Sequence, residues 1–170
     1  EVLPRPPVVS IPLAQHIGAP AQALVKKGDE VKVGQVIAQS AGFVSANIHS
    51  PVSGKVAKVD QVVDASGYRK AAIIINTEGD EWVEDIDRSA ILVKEITASP
   101  EAIVKKIGEA GIVGLGGATF PAHVKLSPPP GKTCDVLILN GVECEPYLTS
   151  DHRLMPEKGE ELLVGIRLLM

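Results

Sequence analysis

Two stretches of this 170-residue chain combine residue types that hold ligands, and the first is Gly114-Leu-Gly-Gly-Ala-Thr-Phe-Pro121. Gly114, Gly116 and Gly117 let the backbone take positive φ and approach a ligand closely, and successive N–H groups of such a loop form an anion-binding concavity. Pro121 suits the first turn of a short helix, Phe120 to Leu126, whose N-terminus adds its dipole to the concavity, with Lys125 one turn on. Such a loop is either a cradle for a phosphate or flat ring, or a tight structural turn. It is not a Walker A loop, which needs Gly-Lys-Ser/Thr. It is also a poor dinucleotide fingerprint, because Thr119 replaces the last glycine and a helix rather than a strand precedes it.

The second stretch is Asn140-Gly-Val-Glu-Cys-Glu-Pro-Tyr147. It follows Cys134-Asp-Val-Leu-Ile-Leu-Asn140, whose continuous apolar run predicts a buried strand of a parallel sheet, and open α/β sheets place ligands at the C-terminal ends of such strands. Asn140 both donates and accepts, while Glu143 and Glu145 accept when ionised. These groups suit ribose hydroxyls, a carboxamide or the polar edge of a flavin, and they repel phosphate. A solvated acidic loop with an Asn cap is the alternative. The flanking glutamates disfavour a Cys144 thiolate, so a nucleophilic role is not expected. Asp151, His152 and Arg153 are expected at a salt-bridged helix start, and no Ser/His/Asp arrangement stands out.

The elements that must position these residues divide the chain. Residues 1–12 carry Pro4, Pro6, Pro7 and Pro12 and predict an extended, proline-rich arm. Residues 13–78 are short β-branched runs cut by Lys27-Gly-Asp29, Val33-Gly-Gln35 and Val52-Ser-Gly-Lys55, the spacing of a small all-β sandwich. Residues 79–98 read as a linker. Ser99-Pro-Glu101 predicts a helix start, with Ser99 as N-cap, Pro100 at the first helical position and Gly111 as terminator. Residues 99–170 are α/β, and Lys158 to Met170 reads as an amphipathic helix.

Composition excludes several classes. With 17 Lys+Arg against 21 Asp+Glu the net charge is −4, and aromatics make up 3%, so neither a basic footprint nor stacking platforms for nucleic acid are present. Two cysteines, Cys134 and Cys144, cannot build a disulfide framework or by themselves ligate a four-cysteine cluster. No apolar stretch reaches the roughly 18–20 residues that cross a bilayer. The opening Glu1-Val-Leu-Pro lacks the marks of a signal peptide, and the helical pattern at Met170 has no stop signal, so the chain is expected to be a piece of a longer protein. His16 and His49 are expected to be structural, because no second ligand lies at metal spacing.

The phrases Lys27 to Gln35 and Ser50 to Val56 resemble the lipoyl and biotinyl carrier fold, a flattened barrel-sandwich whose halves repeat one another. Carriers attach their group to a lysine at the hairpin tip. Here the tip, Gly42-Phe-Val-Ser-Ala-Asn-Ile-His49, has no lysine, so no attached group is expected.

Gly114 to Leu126, Asn140 to Met155 and Ile11-Pro-Leu-Ala-Gln-His-Ile-Gly-Ala-Pro20 together resemble the C subunit of the Rnf electron-transport complex, over most of the chain. That family is related to the flavoprotein subunit of respiratory complex I. The resemblance implies a mixed α/β chain: an N-terminal barrel-sandwich hybrid followed by the first part of an α/β domain that binds FMN and NADH. It implies that Gly114, Gly116, Gly117 and Lys125 hold the flavin and its phosphate, that Asn140 and Glu143 address the flavin, and that Glu145 and Phe120 lie on the nicotinamide side. Val142 and Leu115 depart from the complex I relatives, which carry aspartate and arginine there. The resemblance also implies [4Fe–4S] motifs beyond Met170 and electron transfer between NADH and ferredoxin in an ion-translocating complex. The protein would then be peripheral, on the cytoplasmic side of the bacterial inner membrane, in contact with other Rnf subunits; the fragment alone is expected to be inactive and to bind FMN weakly. Alternatives are a cobalamin-reductase flavoprotein of a bacterial microcompartment and a non-catalytic docking module.

Overall fold

The computed structural model describes residues 4–64, 66–115 and 117–170. It divides into two compact units, Glu1–Arg88 with Val104–Ser127, and Ser89–Ile103 with Pro128–Met170. Gly116, one of the glycines expected to cradle a ligand, lies outside the described residues.

In the first unit, strands β1 (Val8–Pro12), β7 (Arg69–Thr77), β6 (Gly54–Val63) and β3 (Glu30–Val31) form one sheet in that order. Strands β2 (Gln22–Ala23), β4 (Val36–Gln39) and β5 (Ile48–His49) form the other. All of these pairings are antiparallel. Alternation along the strands sends Ile73 and Ile75 of β7, Val56 of β6 and Ile37 of β4 into the space between the sheets, where each is at most 1% exposed. Leu13, Val31, Ile48 and Val52 complete that core.

The repeated turn phrases have a shared mechanism. Lys26 N–H donates to the Asp29 carboxylate at 2.9 Å while Asp29 N–H donates back to the Lys26 carbonyl at 3.1 Å. Lys32 N–H and Gln35 do the same through the Gln35 side-chain oxygen, at 3.0 and 3.1 Å. Each turn is therefore closed by a polar side chain three residues on, which is why Asp and Gln follow glycine in the two phrases. Gly54 is required for a different reason. Its φ is +148°, and a Cβ there would stand 2.0 Å from the Asn76 carbonyl oxygen across the β6–β7 pair.

Of the expected proline-rich arm, residues 4–12 are described, and Val8–Pro12 form a strand. Val8 to Pro12 pair in register with Asn76 to Ala72 at the edge of the four-stranded sheet, where Pro12 withholds no needed donor from an inner ladder. The start of the expected linker is likewise held on the sandwich. Val33 N–H donates to the Glu81 carbonyl, Val83 N–H donates to Val33, and the Ile86 side chain fills the space beside Gly34.

Helix α1 (Pro100–Glu109) begins where the sequence predicts, with the Ser99 Oγ accepting from Ala102 N–H at 3.3 Å and Gly111 following at φ +67°. Helix α2 (Ala122–Lys125) is a single turn, shorter than the expected 120–126. One turn carries almost none of the dipole expected to reinforce the glycine loop, since a macrodipole needs aligned successive turns. In the second unit, α3 (Ser150–Glu157) and α4 (Gly159–Leu169) are separated at Lys158, just after Pro156.

The strand expected at 134–140 does not form. Those residues have no strand pairing among the described residues, and Val136 and Ile138 are 76% and 84% exposed. A fully apolar run becomes a strand only when neighbouring strands satisfy its backbone and both faces are covered, and neither condition is met within this unit. No helix among the described residues is long and apolar enough to cross a membrane.

Two outcomes test this packing. Ile73→Ala should destabilise the sandwich by about 2–5 kcal/mol in chemical denaturation, while Val63→Ala, at the exposed end of β6, should be close to neutral. Near the β6–β7 turn, the Lys70 ammonium, followed by the Ser66 hydroxyl, holds the Asp64 carboxyl at about 2. Because the folded value lies below the ordinary one of about 3.9, this contribution is complete above that pH and is lost as pH falls towards 2. An NMR titration of Asp64 should show the low midpoint, and Lys70→Gln should move it up.

Candidate functional site

The glycine loop belongs to the first unit and is closed at its neck. Val113 and Pro121 form an antiparallel bridge, Gly114 N–H donates to the Phe120 carbonyl at 2.8 Å, and Ala122 N–H donates to the Ile112 carbonyl at 2.9 Å. Pro121 is fully buried beneath the neck. Beyond it the backbone is strained and open: Gly117 has φ +109° with no atom within 4 Å of where a Cβ would stand, and Thr119, at φ +48°, is a non-glycine residue in the left-handed region. Among the described residues, the amides of Leu115, Gly117, Ala118 and Thr119 have no backbone acceptor. Amides without a backbone acceptor are donors available to a ligand or to water. Phe120 is half-buried, and Lys125 is exposed with no ion pair among the described residues.

The neck rests on the sandwich. The Asn47 side chain, near the tip of the β4–β5 hairpin, donates from Nδ2 to the Glu109 carbonyl at the end of α1, at 3.1 Å, and accepts at Oδ1 from Ser40 N–H at 2.9 Å. A Cβ on Gly111 would meet the Asn47 carbonyl oxygen at 2.3 Å. On the far side of the loop, His123 of α2 donates from Nε2 to the Phe43 carbonyl at 3.1 Å, and the two rings meet edge to face at 6.2 Å. Between hairpin and loop lies a cavity of about 360 Å³, lined by His16, Asn47 and His49 on one wall and by Val113, Leu115 and Thr119 on the other. His16 is structural, as expected. Its Nε2 accepts from Ala46 N–H at 3.0 Å, which turns Nδ1–H towards the Ile17 carbonyl at 3.3 Å. His49 differs, because partial burial lowers its pKa and its ring faces the cavity with no hydrogen bond among the described residues.

The acidic turn belongs to the second unit. The Asn140 Oδ1 accepts from Val142 N–H at 3.0 Å, the Asn cap expected for a turn. Glu143 does more than the sequence suggests. Its Oε1 accepts from Asp151 N–H at 2.8 Å and His152 N–H at 3.0 Å, so it caps α3 from outside the helix, and among the described residues Oε2 meets the Ser150 hydroxyl at 3.4 Å. Glu145, Cys144 and Tyr147 are exposed, and Tyr147 has φ +69°. At the start of α3, Arg153 pairs with Glu157 one turn on rather than with Asp151. No group of three or more metal-ligating side chains occurs among the described residues.

Comparison with known proteins bears on both units. Residues 1–80 match the RnfC barrel sandwich hybrid domain, and residues 107–170 match the Nuo51 FMN-binding domain. The chain is 52% identical over 171 residues to the C subunit of the proton-translocating ferredoxin:NAD(+) oxidoreductase complex of Clostridium ljungdahlii, covering 100% of this chain and 37% of that protein. It is 46% identical to the C subunit of the Na(+)-translocating ferredoxin:NAD(+) oxidoreductase complex of Acetobacterium woodii, covering 98% of this chain and 37% of that protein. The C subunit of the ion-translocating oxidoreductase complex of Rhodobacter capsulatus is 45% identical over 99% of this chain and 32% of its own length. This chain belongs to the RnfC family. It spans about a third of the length of these relatives. The family assignment agrees with the fold expected from sequence, a mixed α/β chain with a barrel-sandwich hybrid followed by an FMN-binding domain.

What sequence reasoning missed in this RnfC-family chain is the seat of the glycine loop. Asn47 and His123 read as an ordinary tip residue and a helix residue, and Gly111 as a C-cap. For Glu143, Glu143→Ala should cost about 0.5–2 kcal/mol of α3 stability and speed hydrogen exchange at the Asp151 and His152 amides. Unchanged exchange there would show that the carboxylate does not cap the helix.

Proposed function

We propose that this chain is the flavin-proximal part of a subunit that passes electrons between NADH and iron–sulfur clusters within an ion-translocating NAD:ferredoxin oxidoreductase. The observation that carries the reading is the glycine loop, with unpaired amides and an open Gly117 surface, within the stretch that matches an FMN-binding domain. Residues 1–12 serve as an arm, 13–78 as the barrel-sandwich, 79–98 as the connection and 99–170 as the beginning of the α/β domain. The exposed apolar run 136–139 fits that partial domain, since it lacks the neighbouring strands that its composition calls for.

When bound, FMN supplies the conversion between two-electron hydride transfer and one-electron transfer to clusters. The chain's own residues bind and orient it. Gly114, Gly116 and Gly117 give the backbone room to reach the phosphate, the loop amides donate to its oxygens, and Lys125 adds a positive charge. Asn140 offers a donor and an acceptor to the polar edge of the ring. Glu143 contributes through Oε2, because Oε1 is taken by the α3 amides. Phe120 and Glu145 serve the nicotinamide of NADH, by stacking and by accepting hydrogen bonds. Clusters of the [4Fe–4S] type belong to residues beyond Met170, and ferredoxin is reached through the complex. Partners are the other Rnf subunits, and the place is the cytoplasmic face of the bacterial inner membrane, held peripherally.

The test is flavin content. The full-length subunit should retain about one FMN per chain by visible absorbance, and Gly117→Val should lower affinity by at least tenfold, or about 1.4 kcal/mol, by filling the cradle and forbidding its φ. The chain 1–170 alone should bind FMN weakly. A full-length subunit that holds no FMN, or a Gly117→Val variant that holds it unchanged, would contradict the proposal.

A further inference from the structure

The hairpin tip that carries a modified lysine in carrier domains has a different use here. Its residues meet the glycine loop at both ends. Upstream, Asn47 Nδ2 holds the Glu109 carbonyl, one of the otherwise unpaired groups at the end of α1, and the chain turns at Gly111 against the Asn47 carbonyl with no room for a side chain. Downstream, His123 Nε2–H holds the Phe43 carbonyl, and the His123 ring stands against both Phe43 and Gly108. Among the described residues, none of 114–115 and 117–120 hydrogen-bonds to the hairpin.

The tip is itself rigidly built, as a seat must be. Ser45 Oγ donates to the Ala19 carbonyl at 2.9 Å and accepts from Ala41 N–H at 3.1 Å, Ala19 N–H donates to Val44, and His16 holds Ala46 N–H. Ser45 is fully buried and His16 is 8% exposed. A loop whose amides must converge on an anion needs both of its ends fixed.

We propose that Asn47 and His123 are positioning residues that set the glycine loop for its anionic ligand, so that the barrel-sandwich acts as the template for the flavin site. This rests on the flavin reading given above. Neither residue touches the ligand; each acts through the backbone that it fixes.

The experiment uses the full-length subunit. Asn47→Asp keeps the acceptor for Ser40 N–H but loses the donor to the Glu109 carbonyl, and it should raise the FMN dissociation constant about five- to tenfold, the scale of one hydrogen bond. His123→Leu should act similarly, and His123→Gln, which retains an N–H donor at the same reach, should restore most of the affinity. Visible circular dichroism of the bound flavin should change in the Asp and Leu variants and return in the Gln variant, which a loss of overall stability alone would not produce. Equal affinity and equal dichroism in wild type, Asn47→Asp and His123→Leu would overturn the positioning role while leaving the flavin reading intact. A wild-type subunit without FMN would instead overturn the flavin reading, and the positioning role with it.

Discussion

Gly111 has no room for a side chain. The chain leaves α1 there at φ +67°, pressed against the carbonyl of Asn47, and every residue of the glycine loop takes its starting point from that contact. An added methyl group would overlap backbone oxygen, which unlike a flexible side chain cannot move aside without shifting the hairpin that bears it. A sandwich braced through Ser45 and His16 resists such a shift. The close approach therefore ties the entry to the loop to the rigidity of an antiparallel core.

That arrangement divides labour between two kinds of stability. The sandwich relies on apolar burial between its sheets, with Ile37, Ile73 and Ile75 completely enclosed. The glycine loop relies on a few directed hydrogen bonds at its neck, and among the described residues the amides of Leu115, Gly117, Ala118 and Thr119 have no backbone acceptor. A positive φ at the non-glycine Thr119 is a cost that a structural turn would be expected to avoid, and such strain clusters at ligand-binding sites. The second unit shows a milder form of the same tension at Glu143. One carboxylate oxygen is bound to the first amides of α3, and the other is left with a single long contact to Ser150.

The sandwich and the helix starts were legible in the sequence because their signals are local. Asp29 and Gln35 close their own turns, Ser99 and Pro100 start α1, and the alternation in β7 names its own buried face. The 134–140 run was misread because its apolar continuity describes what a strand would need rather than what this unit supplies; strands are decided by their neighbours, not by their composition. The one-turn α2 was overextended mainly at its start, because Pro121, read as part of the first turn, precedes the helix as its N-cap, and nothing in the sequence signals how soon the helix ends. Glycine spacing and the Asn/Glu turn were visible as candidate chemistry, but the hold of Asn47 and His123 on the loop joins residues more than sixty positions apart. Such pairings leave no mark in a single sequence.

In the proposed site the amides beyond Gly114, seated on the sandwich, receive the phosphate of a flavin. An experimental structure of the full-length protein with FMN bound measures this directly. Phosphate oxygens are expected about 3 Å from loop amides between Leu115 and Thr119, with the Asn47–Glu109 and His123–Phe43 hydrogen bonds intact. FMN held elsewhere in the protein, with those amides facing solvent, would contradict it.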